Sequence, residues 1–368
     1  MSKKTKLIFF HPYSSLGGAD RSLARLINNL DINKFEVAFI CLNNPYILNF
    51  LKRKINIIKL KSNRSIFSIL EIRRYLNKFS NEKNVIFVSN QNFANVISTF
   101  IIKKFPNIKL VLIDRNHIDE LEYSNNLLDS FKKIVIKFLM RLFYKNSDLI
   151  IGNAKILSRD LSLLVKKKVK TIYNPAKDKS IIALSNKKVK IINKKKLIIN
   201  IGRLEIQKDH ITLIKSIENL CDINLLIIGY GSLLVKLRKI IKTKKLKDRV
   251  KIITNISNPY PYLKKADLFV LSSLYEGFPN VLTEAIMLNI PVLSSNCRSG
   301  PKEILFNNKD QLFEPGNHLD LEKKIKKFFK NKRAFKLNSK KLYKNMSRFE
   351  PKKIAKDYES EFNKLLSK

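Results

Sequence analysis

The chain has 368 residues, 45% of them hydrophobic, which is enough for two domains with separate cores. Its three Cys and four His are scattered. This distribution argues against a disulfide scaffold and a Cys/His metal centre, and it predicts a reducing compartment.

The formal charge of +43 comes from 73 Lys and Arg against 30 Asp and Glu. One interpretation is compositional, because Lys, Ile and Asn are all abundant. The other is attraction to polyanions or to an anionic membrane surface. Under either interpretation, salt should weaken the attraction to acidic surfaces.

The N-terminus, MSKKTKLIFFHPY, combines a basic start with a short apolar run and predicts a first strand rather than a signal peptide. No window approaches about 18 uncharged apolar residues, so we expect no transmembrane span. We expect a cytoplasmic protein.

Apolar runs of strand length alternate with amphipathic helical stretches along the chain. Nearly continuous apolar strands, each followed by a helix, predict an α/β fold with parallel sheets covered on both faces. The expected strands are Lys6–Phe10, Glu36–Leu42, Ile55–Leu60, Val85–Ser89, Lys109–Asp114, Leu149–Gly152, Lys196–Ile201, Asn224–Gly229, Val250–Ile253, Leu268–Leu271 and Pro291–Ser294.

A lysine-rich break near 176–195 predicts two domains, 1–176 and 196–348, joined by a linker at 177–195. Residues 349–368 predict a last helix that could pack back on the first domain. Each half places a loop and a helix N-terminus after its first strand. In doubly wound sheets ligands bind at that edge, so we expect a cleft between two such edges.

Gly17 and Gly18 lie between the first strand and the helix Arg21–Leu30. Paired glycines allow the backbone to approach a phosphate or a sugar, although a plain tight turn explains them equally well. His117, in DRNHIDE, follows a strand and is a candidate polar residue of the cleft. The competing interpretation is an ordinary surface histidine.

The segment Leu127–Tyr144 predicts an amphipathic helix with Lys and Arg among its apolar residues. A basic amphipathic helix can lie on an anionic bilayer. The slightly favoured alternative is a helix packed on its own sheet, with lysine stems covering the edge.

Arg203 and Lys208 lie in a loop between a strand and the helix Ile211–Asn219. Two fixed cations near a helix N-terminus suit a diphosphate leaving group, which gains charge as its bond breaks. A solvated pair in a lysine-rich protein is the alternative. Gly229, in IIGYGS, predicts a loop at the nucleotide edge, with a simple turn as the alternative.

The stretch YEGFPNVLTEAIMLNIPVL carries two carboxylates, Glu276 ahead of a helix and Glu284 about one turn inside it. Pro279 suits the first turn of that helix, expected at 280–288, and Asn289 suits a left-handed end. Amides at a helix N-terminus bind anions, whereas carboxylates accept hydroxyl hydrogen bonds. Together they suit a ligand with phosphate and sugar.

These motifs resemble the retaining glycosyltransferases of family 4, with the GT-B architecture of two Rossmann-like domains facing a central cleft. The resemblance spans nearly the whole chain and is most specific in the second half. It rests on GGADRS, IYNP, IGRLEIQKD, LIIGYG, ADLFVLSSLYEGFPNVLTEA and SGPKEIL.

The resemblance implies that Arg203 and Lys208 hold the diphosphate and that Glu284 binds the ribose hydroxyls. It implies that Glu276 faces the transferred sugar and that His117 lies near the reacting centre. Gly17 and Gly18 would close over the phosphates. The remaining implied nucleotide-sugar contacts are Gly229, Gly277, Phe278, Pro279, Asn280 and Val281. Asn289 departs from the family, which usually has Gly there.

The resemblance further implies retaining hexose transfer without a metal cofactor, in agreement with the lack of an Asp-x-Asp motif. UDP is the first expectation for the nucleotide and GDP the second. The implied acceptor is a polyprenyl-linked glycan or a polysaccharide, with the enzyme peripheral on the inner face of the cytoplasmic membrane. Front-face attack and a covalent intermediate both stay open.

Two alternatives remain. A sugar-nucleotide epimerase or hydrolase could use the same architecture, but it fits the Arg–Lys pair and the two glutamates less well. A nucleic-acid-binding protein could account for the basicity. However, the basic residues are spread and no known nucleic-acid motif is present, so no specific nucleic acid is expected.

Overall fold

A computed structural model describes residues 4–14, 17–124, 126–189 and 196–367. The chain divides into two compact units. The N-terminal unit comprises 1–175 and 349–368, and the C-terminal unit comprises 176–348.

The N-terminal unit contains a seven-stranded parallel sheet in the order β3-β2-β1-β4-β5-β6-β7. Its strands are β1 (Thr5–Phe10), β2 (Phe35–Cys41), β3 (Asn56–Lys59), β4 (Val85–Asn90), β5 (Ile108–Asp114), β6 (Leu149–Gly152) and β7 (Val169–Thr171). The helices between them are α1 (Gly18–Asn29), α2 (Ile69–Leu76), α3 (Asn92–Ile102), α4 (Leu127–Phe143) and α5 (Lys155–Val165).

Both faces of this sheet are covered. Central strand β4, VIFVSN, is buried along its whole length, as expected for a parallel strand between two helical layers. Side chains of α2, α3, α4 and α5 form the core on one face. Those of α1 form the core on the other face.

The C-terminal unit contains a six-stranded parallel sheet in the order β10-β9-β8-β11-β12-β13. Its strands are β8 (Lys196–Ile201), β9 (Ile223–Ile228), β10 (Val250–Ile253), β11 (Leu268–Leu271), β12 (Val292–Ser295) and β13 (Leu312–Phe313). The helices are α6 (Ser180–Leu184), α7 (His210–Lys215), α8 (Leu234–Thr243), α9 (Tyr260–Lys264), α10 (Asn280–Met287), α11 (Pro301–Ile304), α12 (His318–Lys330) and α13 (Lys332–Asn345).

The last helix, α14 (Pro351–Leu366), belongs to the N-terminal unit, although the whole C-terminal unit separates it from that unit in sequence. Its buried Ile354, Tyr358 and Phe362 join the core beneath α1. The rings of Phe35 and Phe362 meet edge to face with centroids 6.1 Å apart. Glu359 accepts a hydrogen bond from the Asp31 amide at 2.7 Å.

The predicted α/β fold is confirmed, and all eleven predicted strands occur within one residue of their expected bounds. Strands β7 and β13 were not predicted. Part of the range 177–195, expected as a linker, forms α6, whose Ile181 is buried. Residues 190–195 lie outside the described part of the chain. Helix α7 ends at Lys215, four residues before the expected end.

Candidate functional site

The strand order of the C-terminal sheet reverses between β8 and β11. The strands β9 and β10 follow on the side of β8, and β12 and β13 follow on the side of β11. Ligands of open α/β sheets bind at the carboxyl ends of the strands at such a point. The loop after β8 carries Arg203 and Lys208, and the loop after β11 carries Glu276. The fold therefore brings together residues that are about seventy positions apart in sequence.

An ion pair joins these two loops. Lys208 Nζ lies 2.5 Å from Glu276 Oε1, and both side chains are largely shielded from solvent. The Ser273 hydroxyl donates to the same Oε1 at 2.6 Å. The Ser272 hydroxyl donates to the Lys208 carbonyl at 2.7 Å, which fixes the backbone of the lysine. Glu276 is thus held in one orientation by a cation and a hydroxyl.

Gln207 connects the same loops through a second set of hydrogen bonds. Its buried amide donates to the Tyr275 carbonyl at 3.1 Å and accepts from Arg203 Nη2 at 3.1 Å. Its backbone carbonyl accepts from the Leu274 amide at 2.8 Å. We call Arg203, Gln207, Lys208, Ser273 and Glu276 the switch-point site. Gln207 and Ser273 were not predicted as site residues from the sequence.

The loop after β9 lies directly against the loop after β8. A Cβ atom added to Gly229 would lie 1.8 Å from the carbonyl oxygen of Gly202, so only glycine fits there. Glu205 accepts from the Ser232 amide at 2.8 Å and from its hydroxyl at 2.7 Å. Packing therefore accounts for a glycine at position 229, and its contact with the nucleotide stays a prediction.

Helix α10 begins at Asn280, and Pro279 is its N-cap rather than part of its first turn. Glu284 is buried one turn inside the helix, as predicted. Asn289 has φ of 55°, the left-handed conformation predicted where the family has Gly. Phe278 and Pro279 are buried, whereas Asn280 and Val281 are partly exposed. The Gly277 carbonyl accepts from the Ser299 hydroxyl at 3.3 Å.

His210 lies beneath the switch-point site at the start of α7. Its Nε2 and Asn200 Oδ1 are 3.0 Å apart, and the ring is fully buried. Burial lowers the pKa of His210 to about 3, and the positive charge of Lys208 acts in the same direction. The ring is therefore neutral at physiological pH.

In the N-terminal unit the strand order reverses between β1 and β4. Gly17 is the N-cap of α1 and Gly18 is its first residue, so both lie at this edge. Neighbouring Asp20 is fully buried and contacts His11 Nε2 at 2.9 Å and the Ser14 hydroxyl at 2.8 Å. The sequence had not singled out His11 or Asp20.

His117 is fully buried in the N-terminal unit. Its Nε2 lies 3.0 Å from Asp160 Oδ2. Its Nδ1 lies 3.2 Å from the Asp119 amide, from which it accepts, and 2.9 Å from Asp119 Oδ1. Both ring nitrogens are thus engaged by protein groups. The interpretation as a surface histidine is wrong, and its role near the sugar stays a prediction.

Arg115, two residues earlier, presents a cation at the same sheet edge. Its guanidinium donates to Asn90 Oδ1 at 3.2 Å, Ser22 Oγ at 3.2 Å and Asn174 Oδ1 at 3.4 Å, all of them uncharged acceptors. Burial lowers the pKa of Arg115, while the nearby Tyr358 and Asp20 oppose this shift. Nothing in the sequence singles out Arg115 beyond its position after β5.

Asp114, the last residue of β5, is buried, and its Oδ1 lies 3.5 Å from the Tyr144 hydroxyl. Burial raises the pKa of Asp114 to about 7, although the hydrogen bond from Tyr144 opposes the shift. Within the described residues, no cluster of three or more His, Cys, Asp and Glu side chains is arranged to hold a metal ion.

Solved structures with the same fold cover nearly the whole chain. A crystal structure of Anabaena HepE in complex with UDP superposes with a TM-score of 0.75 at 15% identity, covering 98% of this chain and 100% of that one. Sucrose-phosphate synthase from Thermosynechococcus elongatus gives 0.80 at 14% identity, covering 99% and 100%. These are GT-B proteins, and the likeness shows that this chain has the GT-B fold.

Sequence comparison identifies the family of the chain. The model of the family described as "Glycosyl transferases group 1" matches residues 182–352. An N-acetylgalactosaminyltransferase of Campylobacter jejuni, named for an undecaprenol-diphosphate-linked substrate, is 27% identical and aligns over 88% of this chain and 92% of its own. A glycosyltransferase of Methanocaldococcus jannaschii is 32% identical over 74% of this chain and 71% of its own. With the switch-point site in the matched region, this chain belongs to the group 1 glycosyl transferases.

Proposed function

We propose that this glycosyltransferase moves a hexose or N-acetylhexosamine from a UDP-linked donor to a lipid-linked or polysaccharide acceptor, with retention of configuration and without a metal. The observation that carries the donor assignment is the switch-point site. There, Lys208 contacts Glu276 at 2.5 Å and Arg203 extends from the same loop.

The roles follow from charge and position. Arg203 and Lys208 stabilise the charge that develops on the diphosphate as the glycosidic bond breaks, which is the contribution a metal would otherwise supply. Glu276 accepts hydrogen bonds from the hydroxyls of the transferred sugar. The N-terminus of α10 adds the positive end of a helix dipole between these groups and Glu284.

Glu284 binds the ribose hydroxyls in this proposal, because a buried carboxylate on the first turns of α10 can accept two hydrogen bonds from a diol. Glycines 17 and 18 close over the phosphates, and Gly229 and the stretch 277–281 complete the donor contacts. His117 acts near the transferred sugar. In this structure Asp160 and Asp119 orient its ring, so His117 serves first to position its own loop.

On the acceptor side, Arg115 offers a partly desolvated cation whose hydrogen bonds go to uncharged oxygens. The relative from C. jejuni is named for a substrate carrying a diphosphate on undecaprenol. We propose the same class of acceptor here, which places the enzyme on the inner face of the cytoplasmic membrane.

A thermal-shift screen of nucleotides tests the donor proposal. A ligand that binds only the folded state at one hundred times its Kd adds about 2.7 kcal/mol of stability. We expect UDP to raise Tm more than GDP, with and without EDTA. A GDP preference would overturn the base assignment, and loss of the UDP shift in EDTA would overturn metal independence.

The role of Glu284 has a matched chemical control. Glu284→Gln should reduce the shift given by UDP but leave that given by 2′,3′-dideoxy-UDP unchanged, because only UDP offers hydroxyls to the carboxylate. An equal loss with both nucleotides would contradict the ribose assignment. Release of free sugar from UDP-sugars at the same rate with and without acceptor would instead favour the hydrolase alternative.

A further inference from the structure

Helix α4 carries two apolar faces, and only one of them packs on the protein. Met140 is fully buried in the core, with Ile136 and Leu139 packed against it. The opposite side, here called the outer face, exposes large apolar side chains to solvent. Its members are Leu127, Leu128, Phe131, Ile134, Val135, Phe138 and Leu142.

The exposure of this outer face is high for residues of this type. Leu127 is 90% exposed, Phe131 is 65% exposed and Phe138 is 59% exposed. These residues recur at spacings of three and four, which places them on one stripe of the helix. A helix that needed only to cover its sheet would carry polar residues there. The sequence-based preference for a helix packed on its own sheet therefore explains only the face of α4 that carries Met140.

Basic residues border the outer face on both sides. By helical spacing, Lys132 lies along one edge, and Lys137 and Arg141 lie along the other. Lys132 and Arg141 are exposed, and Lys137 Nζ lies 3.4 Å from Glu122 Oε1. The helix has four basic side chains and one acidic side chain, Asp129.

Neighbouring elements extend this exposed apolar surface. Helix α3 contacts both α2 and α4, and the rings of Phe100 and Phe143 lie 4.5 Å apart between α3 and α4. Phe93 and Phe100 of α3 are exposed, as are Ile66 and Phe67 in the short 3-10 helix before α2 and Leu70 within α2. Exposed cations within or next to these segments include Arg64, Arg74, Lys103 and Lys104.

An apolar aromatic surface bordered by cations has the chemistry of a helix that lies in the headgroup region of an anionic bilayer. A second copy of the chain fits less well, because both copies would bring a formal charge of +43 and basic borders to the contact. No helix of the described residues is long and apolar enough to cross a membrane.

We propose that the outer face of α4 inserts into the interfacial region of an anionic membrane, with α2 and α3 beside it. Insertion, rather than the net charge alone, holds the protein there. The attachment consequently survives salt that screens surface charges, because burial of Leu and Phe side chains does not depend on ionic strength. The inference agrees with the lipid-linked acceptor proposed above but stands on the surface itself.

Vesicle sedimentation tests the inference with two variants. We expect the wild type to bind phosphatidylglycerol-containing vesicles at low and at high salt. Phe131→Ser/Phe138→Ser should lower partitioning by about tenfold or more at both, because two large apolar side chains no longer enter the bilayer. Lys132→Gln/Arg141→Gln should lower it at low salt only.

The matched control is Val235→Ser/Leu319→Ser, which removes two apolar side chains of similar exposure, 78% and 64%, from the C-terminal unit. It should bind vesicles like the wild type. The inference is overturned if the Phe variant binds like the wild type, or if the wild type does not bind. It is also overturned if the Phe substitutions convert a dimer into a monomer without changing vesicle binding.

The same variants separate this inference from the proposed function. Stabilisation by UDP reports on the switch-point site in the other unit and should be equal in all of them. Vesicle binding that depends on Phe131 and Phe138 without any UDP stabilisation would leave the membrane inference intact while refuting the donor assignment.

Discussion

Lys208 is tied to Glu276 by a short ion pair and to Ser272 through its backbone carbonyl. In the proposed reaction this amine exchanges a carboxylate for the diphosphate oxygens of the donor. Such an exchange needs no large movement, since a lysine has three donors on a flexible stem. The ion pair therefore presents the cation in a conformation close to the one it uses.

Replacing Lys208 with Ala should lower turnover by on the order of a hundredfold, the scale of one electrostatic stabiliser in an active site. Steady-state kinetics with the donor found by the nucleotide screen would measure it. Lys236→Ala, an exposed lysine on α8 of the same unit, is the matched control and should leave turnover unchanged. Full turnover in a folded Lys208→Ala protein would contradict the assignment.

Individual site residues were predictable from the sequence where a local motif carries them. Arg203, Lys208, Glu276 and Glu284 stand in such motifs. Gln207 was not predictable, because its role arises from hydrogen bonds to Tyr275 and Arg203 that only the folded chain creates. His11 and Arg115 were missed for the same reason, since their hydrogen-bond partners lie on other elements, among them Asp20 and Ser22 of α1.

Among the elements, long apolar strands were predicted well, because six consecutive buried residues leave an unambiguous pattern. Strands β7 and β13 have three and two residues, and runs this short have no readable period. They exist because β6 and β12 offer an open edge to pair with. Helix α4 was predicted in position, yet its exposed outer face depends on which side meets the core.

The end of α10 gives a prediction at this scale. Asn289 has φ of 55°, which Gly adopts freely and Ala does not. Asn289→Ala should therefore lower the free energy of unfolding of the C-terminal unit by about 1 kcal/mol. Asn289→Gly is the control and should leave it nearly unchanged. Urea denaturation compares the two, and equal stabilities would show that the left-handed conformation carries no cost.

Across the whole molecule, burial shifts the pKa values of two groups in opposite directions, one in each unit. His210 in the C-terminal unit has its pKa lowered from 6.5 to about 3 by burial. Between these values the unfolded chain binds a proton that the folded unit refuses, so stability is lost as pH falls. Asp114 in the N-terminal unit has its pKa raised from 3.8 to about 7 by burial. There the folded unit holds the proton, so stability is lost as pH rises.

We therefore expect acidification from about pH 6.5 to about pH 5.5 to lower the free energy of unfolding of the wild type by on the order of 1 kcal/mol relative to that of His210→Gln. The same change should favour the wild type over Asp114→Asn by a similar amount. Hydrogen exchange, which follows the unfolding of each unit separately, would measure these changes in stability. Parallel pH dependence of both variants would contradict the opposite signs.

Helix α14 completes the N-terminal unit from the far end of the chain. A ribosome makes all of 176–348 before it makes this helix. The C-terminal unit, continuous in sequence, can therefore finish folding first. Until Ile354, Tyr358 and Phe362 emerge, the apolar side of α1 lacks its cover in the nascent chain. That interval is when we expect chaperones to engage the N-terminal unit, and a premature stop codon ahead of Pro351 would make the exposure permanent.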